Sequence, residues 1–342
     1  MKKFKSKIMF IFLIFITCII ITGCSEDENE NIQTASKSVY ILNGTAQTLS
    51  VYDIENKAIS NDVLPVGKWP ADIKIMGDEA YVVNTGDNNV QIFDLVNMKQ
   101  SGMIITGDGS GPERIGFLSE NKAYVSCLNT NSVKAIDLEK NQVTGDIPAG
   151  IGPMGVAVAN KKVYVCNSAY DFASSSYGKG TVSVIDSSND MVIKTVDVGT
   201  NPLEAVTYGD KAIILCNGNY ADITGKLCII DSASDSVTKT VDLGTTPSGI
   251  AISPGGIAYI TTFGGLISVD INSGTMIRKA SEPLKDFAGG SGLAFSKDGT
   301  CYIVVPDWAG TGNDKLLVMD SSEKLIGTYK AGGGASIVAL KE

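Results

Sequence analysis

The sequence predicts an all-β chain: a seven-bladed β-propeller of four-stranded antiparallel blades, closed by pairing of its N- and C-terminal strands. The first observation is a short apolar phrase that returns seven times. It is clear in Ala80-Tyr-Val-Val-Asn84, Ala123-Tyr-Val-Ser126, Val163-Tyr-Val-Cys-Asn167 and Ala258-Tyr-Ile-Thr261, and weaker from Val39, Ala212 and Cys301. A repeat of this length cannot bury its own apolar face and must stack against neighbours. The second observation is that no segment beyond the N-terminal leader sustains a helical period. The third is glycine at 37 of 342 residues, above average usage, as a chain of closely spaced turns requires.

The elements follow in chain order. Residues 1–23 read as a lipoprotein signal peptide: Lys2, Lys3, Lys5 and Lys7 precede an apolar stretch from Ile8 to Ile21, too short for an ordinary spanning helix. The stretch ends in Ile21-Thr22-Gly23-Cys24, which resembles the bacterial lipobox and makes Cys24 the lipidated first residue of the mature chain. Residues 24–37 are then a lipidated cysteine and an acidic tether. Ser25 at the position after the cysteine, and the run Glu26-Asp-Glu-Asn-Glu30, point to the outer membrane or cell surface of a Gram-negative cell. An acidic run is also what any anchored domain needs to stand off a membrane.

Residues 38–342 form the propeller. Each unit carries four extended runs, as in Tyr81–Asn84, Val90–Asp94, Met103–Thr106 and Arg114–Leu118, rich in Val, Ile and Tyr and separated by Gly, Asn, Asp and Ser. An aspartate closes the second run of every unit: Asp53, Asp94, Asp137, Asp186, Asp231, Asp270 and Asp320. Asp at the first position of a type I turn accounts for all seven without a metal array. A Gly-x-x-Pro turn leads into the next unit at Gly67, Gly109, Gly150, Gly199 and Gly244. The first unit lacks a Pro-led strand, and residues 335–340 are an extra one, so that segment should complete the blade begun at Val39.

These residues resemble the YVTN-repeat (YncE-like) β-propeller family over nearly all of residues 38–342. Val182-Ser-Val-Ile-Asp186 and Tyr81-Val-Val-Asn84 match its unit closely. The resemblance implies an extracytoplasmic propeller. Relatives of the family include lactonases, quinoprotein dehydrogenases and surface proteins that capture corrinoids.

Composition narrows the chemistry. The mature chain retains 24 basic against 37 acidic residues, a net charge of −13, and carries no basic run, which excludes nucleic acid as a partner through phosphate neutralisation. There is no histidine, which removes His-dependent triads and His-ligated zinc, haem and copper. No cofactor is expected; a metal would need oxygen ligands, as calcium does. Of seven cysteines, Cys127, Cys166 and Cys216 fall inside the strand phrase, where they read as small buried hydrophobes. Cys216 and Cys228 flank one hairpin, which leaves a cross-strand disulfide open.

Three connections between the Tyr-Val run and the Val-x-x-x-Asp run are long: those of units four, five and seven. They hold Tyr170, Asp171, Phe172, Tyr177, Tyr220, Asp222 and Trp308, and the Gly-x-x-Pro turn of the first unit adds Trp69. Aromatics with a few charges on loops of a rigid scaffold suit a ligand or partner surface. The bland reading is that each long loop packs its aromatics on its own blade. Asp72, Glu113, Arg114 and Glu204 follow the prolines and frame the channel mouth, as an acid–base group or as a solvated entrance. The binding-face residues expected are Trp69, Arg114, Tyr170, Asp171, Tyr177, Tyr220, Asp222 and Trp308. The leading function is a non-enzymatic binding lipoprotein whose ligand is a small molecule, a corrinoid among the candidates, or a surface protein. A propeller enzyme and an adhesion or assembly module are the alternatives.

Overall fold

The computed structural model describes residues 37–342. The signal peptide, Cys24 and nearly all of the acidic tether read from the sequence lie outside the described residues. Seven four-stranded antiparallel sheets follow one another, each with the order inner, second, third and outer strand. Blade two, for example, is Pro70–Met76, Glu79–Asn84, Asn89–Asp94 and Lys99–Ile105.

The ring closes as the sequence predicts. The C-terminal strand Ala335–Lys341 pairs antiparallel with Ser38–Asn43, in the register Val39 with Leu340 and Asn43 with Ala335, and supplies the inner strand of blade one. The closure has an internal lock. Asp314, buried at the end of the long blade-seven loop, accepts from the amides of Gly334 (3.0 Å), Ala335 (3.1 Å) and Asp307 (3.1 Å).

Alternation along the second strands explains how the blades stack. Tyr40 and Leu42 pack into a cluster shared with blade two, while Val39 and Ile41 pack against blade seven. Period-two projection sends successive side chains to opposite faces, and both faces are covered. Seven apolar clusters result, one in each interface between neighbouring blades. At the axis the inner strands come close. A Cβ on Gly292 would stand 2.6 Å from the Ser336 carbonyl oxygen and 2.7 Å from the Ile337 Cα, so this position must be glycine.

The turn aspartates do what the turn reading requires. Asp53 Oδ1 accepts from the amides of Glu55 and Asn56, both at 2.9 Å, and Asp94 repeats this with Val96 and Asn97. The backbone amides hold the Asp53 carboxyl below the usual range. At Asp94 the Asn97 side-chain amide also donates, and it is the larger cause of the same lowering there. Four residues beyond the aspartate the chain enters the left-handed region, at Lys57, Met98, Asn141, Asp190 and Asp235.

Where that residue is acidic it clamps the preceding blade. Asp190 accepts from the Tyr124 hydroxyl (2.5 Å) and from Lys122 Nζ (2.7 Å) of blade three. Asp235 accepts from the Tyr164 hydroxyl and from Lys162 Nζ of blade four, both at 2.6 Å. Glu323, three residues beyond Asp320 in a turn one residue shorter, does the same in blade seven: it accepts from Tyr259 and pairs with Arg278 of blade six. Where the residue is Met98, the Tyr40 hydroxyl of the preceding blade is buried without a partner.

Candidate functional site on the loop face

Strand direction sorts the connections. Second-to-third and outer-to-inner connections leave one side of the disc, here the loop face; the other two kinds leave the opposite side. Trp69, the hairpin Tyr170–Asp171 with Ser176–Tyr177, Tyr220, Asp222 and Trp308 all belong to connections of the loop face. Strand Ser38–Asn43 runs towards this face, so the chain enters the ring from the opposite side.

Two of the long loops meet. Tyr170 makes an edge contact with Phe172 (4.9 Å between centroids) and a tilted one with Tyr177 (4.9 Å), and Tyr177 reaches Tyr220 of blade five at 6.2 Å. Asn217 donates to the Tyr220 hydroxyl at 3.3 Å. The row is therefore continuous across two blades and not two separate insertions. Asp171 and Asp222 are pinned in their own loops, Asp171 by Ala173 N and Ser174 Oγ and Asp222 by Asn219 Nδ2, and these bonds lower both carboxyls.

Trp69 and Trp308 make no ring contact with this row, yet both stand out from the same face, 73% and 71% exposed. Trp308 lies beside Gly289 in a loop organised by Asp307. The amides of Asn313, Ala309 and Thr311, with the Thr311 hydroxyl, hold the Asp307 carboxyl down at about 2. The sequence reading missed Phe263, 84% exposed in the tight turn of blade six. Its signal was available: an aromatic followed by Gly264-Gly265, in a turn where the other short connections carry polar residues.

Backbone geometry distinguishes two of these aromatics. Trp69 sits at φ +50°, the left-handed region, in the turn position where later units place Gly111 (+60°), Gly152 (+65°) and Asn201 (+55°). Tyr220 sits at +58°. A bulky residue there is an outlier, and such strain clusters at functional positions.

Arg114 has a different setting from the loop aromatics. It lies at the channel mouth, in a cavity of about 340 Å³ that Asp72, Lys74, Glu113 and Glu204 also line. Its guanidinium crosses from blade three to blade five: Nε donates to Glu204 Oε1 (3.1 Å), Nη2 pairs with Glu204, and Nη1 donates to the carbonyls of Ala71 (2.7 Å) and Glu113 (3.1 Å). Burial opposes the charge, but the Glu204 and Asp72 carboxylates outweigh it and keep the guanidinium protonated. Four of its five N–H groups are thus used inside the protein, and Arg114 ties three blades together. Glu113 is held more loosely, by Thr85 Oγ1 at 3.4 Å and Arg114 Nη1 at 3.8 Å, and burial pushes its carboxyl up.

The five cysteines of the described residues are buried and free, Cys216 and Cys228 included. Register makes this pair diagonal neighbours, Cys228 facing Ile214 and Cys216 facing Lys226, and their thiols stand in hydrogen-bond contact with no bond between them.

Comparison with known proteins agrees with the architecture. No curated protein matches the sequence. Solved structures similar in fold include the Kuenenia stuttgartiensis hydrazine synthase, at 18% identity and a TM-score of 0.67 over 80% of this chain and 89% of that one. A functionally unknown protein from Desulfotomaculum acetoxidans gives 16% and 0.67 over 89% and 98%, and apo AztD from Citrobacter koseri gives 13% and 0.54 over 89% and 97%. At such identities these likenesses speak for the fold alone. The model of the YncE-like β-propellers matches residues 14–213, more than half of the sequence, and with seven blades closed by strand pairing the chain belongs to the YncE-like β-propeller family.

Proposed function

We propose that this protein is a non-enzymatic binding lipoprotein, anchored outside the cytoplasm through Cys24, that recognises a ligand or partner with the loop face of its propeller. The observation that carries the reading is Trp69: a large aromatic kept exposed in a left-handed turn position that glycine or asparagine fills in other blades. Nothing in the fold needs an indole there. Phe172, Tyr220, Phe263 and Trp308 extend the same exposed character around the face, and exposed Trp and Tyr are the residues that dominate binding energy at interfaces. A lipid on Cys24 would hold the protein at the outer membrane or cell surface of a Gram-negative cell. Arg114 is engaged with Glu204, which favours binding over catalysis at the channel mouth.

The chain supplies its own probe. Its two tryptophans, Trp69 and Trp308, both stand on the loop face, so tryptophan emission reports on that surface alone. Titration with calcium, a corrinoid and haem, with calorimetry in parallel, should find a ligand that shifts the emission. Trp308→Ala with Tyr170→Ala should abolish its binding with the melting temperature nearly unchanged. A ligand that binds by calorimetry and leaves the emission untouched would place the site elsewhere.

A further inference from the structure

We propose that Cys216 and Cys228 are a reactive dithiol, which a disulfide oxidant closes into a bond across the base of the Tyr220 loop. Cys216 ends the strand Lys211–Cys216, and Cys228 lies in the facing strand Lys226–Asp231, so the loop of residues 217–225 springs from between them. The two thiols touch, with Cys216 donating to Cys228.

The surroundings favour one sulfur as the attacker. Gly199, in the turn that leads into blade five, presses its backbone onto the pair. A Cβ there would stand 3.0 Å from the Cys216 Cβ and 3.1 Å from its Sγ, so glycine is what lets the amide approach. That amide donates to the sulfurs, and Thr240 Oγ1 lies 3.9 Å from Cys228 Sγ. The Cys216 thiol, the Gly199 amide and the Thr240 hydroxyl thus converge on Cys228, and against burial they lower its thiol below the ordinary range. Cys216, which gives its proton to that contact, is raised. In thiol–disulfide exchange the thiolate is the nucleophile. Cys166 shares the apolar cluster, but its thiol donates to the Glu204 carbonyl at 3.7 Å and burial pushes it up. Cys127 and Cys301 lie in other clusters.

The Cys228 thiolate attacks one sulfur of the oxidant RS–SR, forming Cys228–S–S–R and expelling RS⁻. Cys216 yields its proton to that RS⁻, and its own thiolate attacks the Cys228 sulfur and expels the second RS⁻, which is protonated by water. The protein loses two electrons and two protons, and the oxidant becomes two RSH. Both cysteines are buried, so the oxidant enters when the loop lifts, and closure should take minutes to hours. The bond would hold the segment that sets Tyr220 in the aromatic row, because Asn217, next to Cys216, donates to the Tyr220 hydroxyl at 3.3 Å and to the Pro247 carbonyl at 3.0 Å. Outside the cytoplasm, where an anchor at Cys24 would place the chain, disulfide oxidants are the rule.

The test is peptide mapping of the full chain, purified in detergent, after incubation with oxidised glutathione, alkylation in guanidinium and digestion with trypsin. Cleavage after Lys226 separates residues 212–226 from residues 227–239, so the bond is read as these two peptides joined and released by dithiothreitol. Most molecules should carry it, with Cys166 alkylated. In Cys216→Ala the glutathione adduct should collect on Cys228, and in Cys228→Ala the adduct on Cys216 should form at least tenfold more slowly. Hydrogen exchange across residues 217–225 should slow in the oxidised chain. Recovery of Cys216 and Cys228 both alkylated overturns the proposal, as does a bond that takes Cys166 in place of either. This mapping of the unaltered chain decides the bond even where a variant fails to fold. Equal adduct rates overturn Cys228 as the attacker, and exchange across 217–225 that oxidation leaves unchanged overturns the hold on the loop.

Discussion

Asp235→Asn should loosen the seam between blades four and five without disturbing the turn that carries it. The replacement keeps the shape of the side chain and suits the left-handed backbone at φ +48°, because Asn141 occupies the equivalent position in blade three. What it removes is the charge that both the Tyr164 hydroxyl and Lys162 Nζ address at 2.6 Å. Both partners are well shielded, with Asp235 at 11% and Lys162 at 22% side-chain exposure, so screening does not erase the effect. Two charge-assisted bonds reduced to weaker neutral ones cost about 2–3 kcal/mol. With roughly 2.1 cal/mol/K of unfolding entropy per residue, a ring of this size should melt about 3–5 °C lower. Differential scanning calorimetry reads this directly. Tyr164→Phe should give part of the loss and the double variant less than the sum, because the two changes remove one shared interaction. A melting temperature within 1 °C of the parent would refute the clamp and leave the interface to apolar packing alone.

Asp314→Ala should destabilise the ring by about 3 kcal/mol, since three amides, one buried and two partly buried, lose one charged acceptor, and hydrogen exchange should rise first at Gly334 and Ala335. Trp69→Asn should change melting by less than about 2 °C, because relief of the left-handed strain and loss of the ring's contact with Gly86 offset each other, while ligand affinity falls at least tenfold. Stability should hold up to pH about 10 and decline above it: burial raises Tyr40 and Tyr302 to about 12 and, with carboxylate partners, Tyr124 and Tyr164 further. The unfolded chain therefore loses its tyrosine protons first, and a denaturation series from pH 8 to 12 checks the break. At the acid end the lowered turn carboxyls, Asp53, Asp94 and Asp137 among them, predict loss of stability as pH falls below about 4. Cys24→Ala should leave the protein unacylated and released from membranes, and globomycin should accumulate the uncleaved precursor; normal acylation of the variant would refute the anchor.

Most of the ring was legible because it is written in residue types with one structural meaning each. Tyr-Val-Val-Asn at 81–84 alternates with period two, Asp94 opens a turn, and Pro70 starts a strand that needs no amide there. The surplus strand at 335–340 announced the closure. The clamps were not legible in that way. Asp190 and Asp235 look like any surface aspartate, and only the register between blades shows that each stands over the Lys-x-Tyr of the blade before it. Arg114 was read as part of the binding face from its place after Pro112, but its reach to Glu204 depends on how closely the inner strands approach at the axis. Phe287, fully buried in the long connection from blade six to blade seven, was likewise invisible, since that connection breaks the repeat.

The split between legible and illegible residues follows the split between the two sides of the disc. On the side away from the loops, every third-to-outer turn repeats one geometry, an aspartate at its start and a left-handed residue near its end, and the sequence there is constrained by clamps and turns. On the loop face the second-to-third connections are free to differ, because the strands they join are already fixed by stacking on both sides. Length, aromatics and strain have gathered there: the hairpin at 170–177, the blade-five loop around Tyr220, Trp308 over Gly289, and Trp69 and Tyr220 in left-handed backbone. Fold stability alone would have put glycine or asparagine at position 69, as it did at 111, 152 and 201. The aromatic there is the residue that the repeat does not explain, and it stands on the face where the variable connections gather.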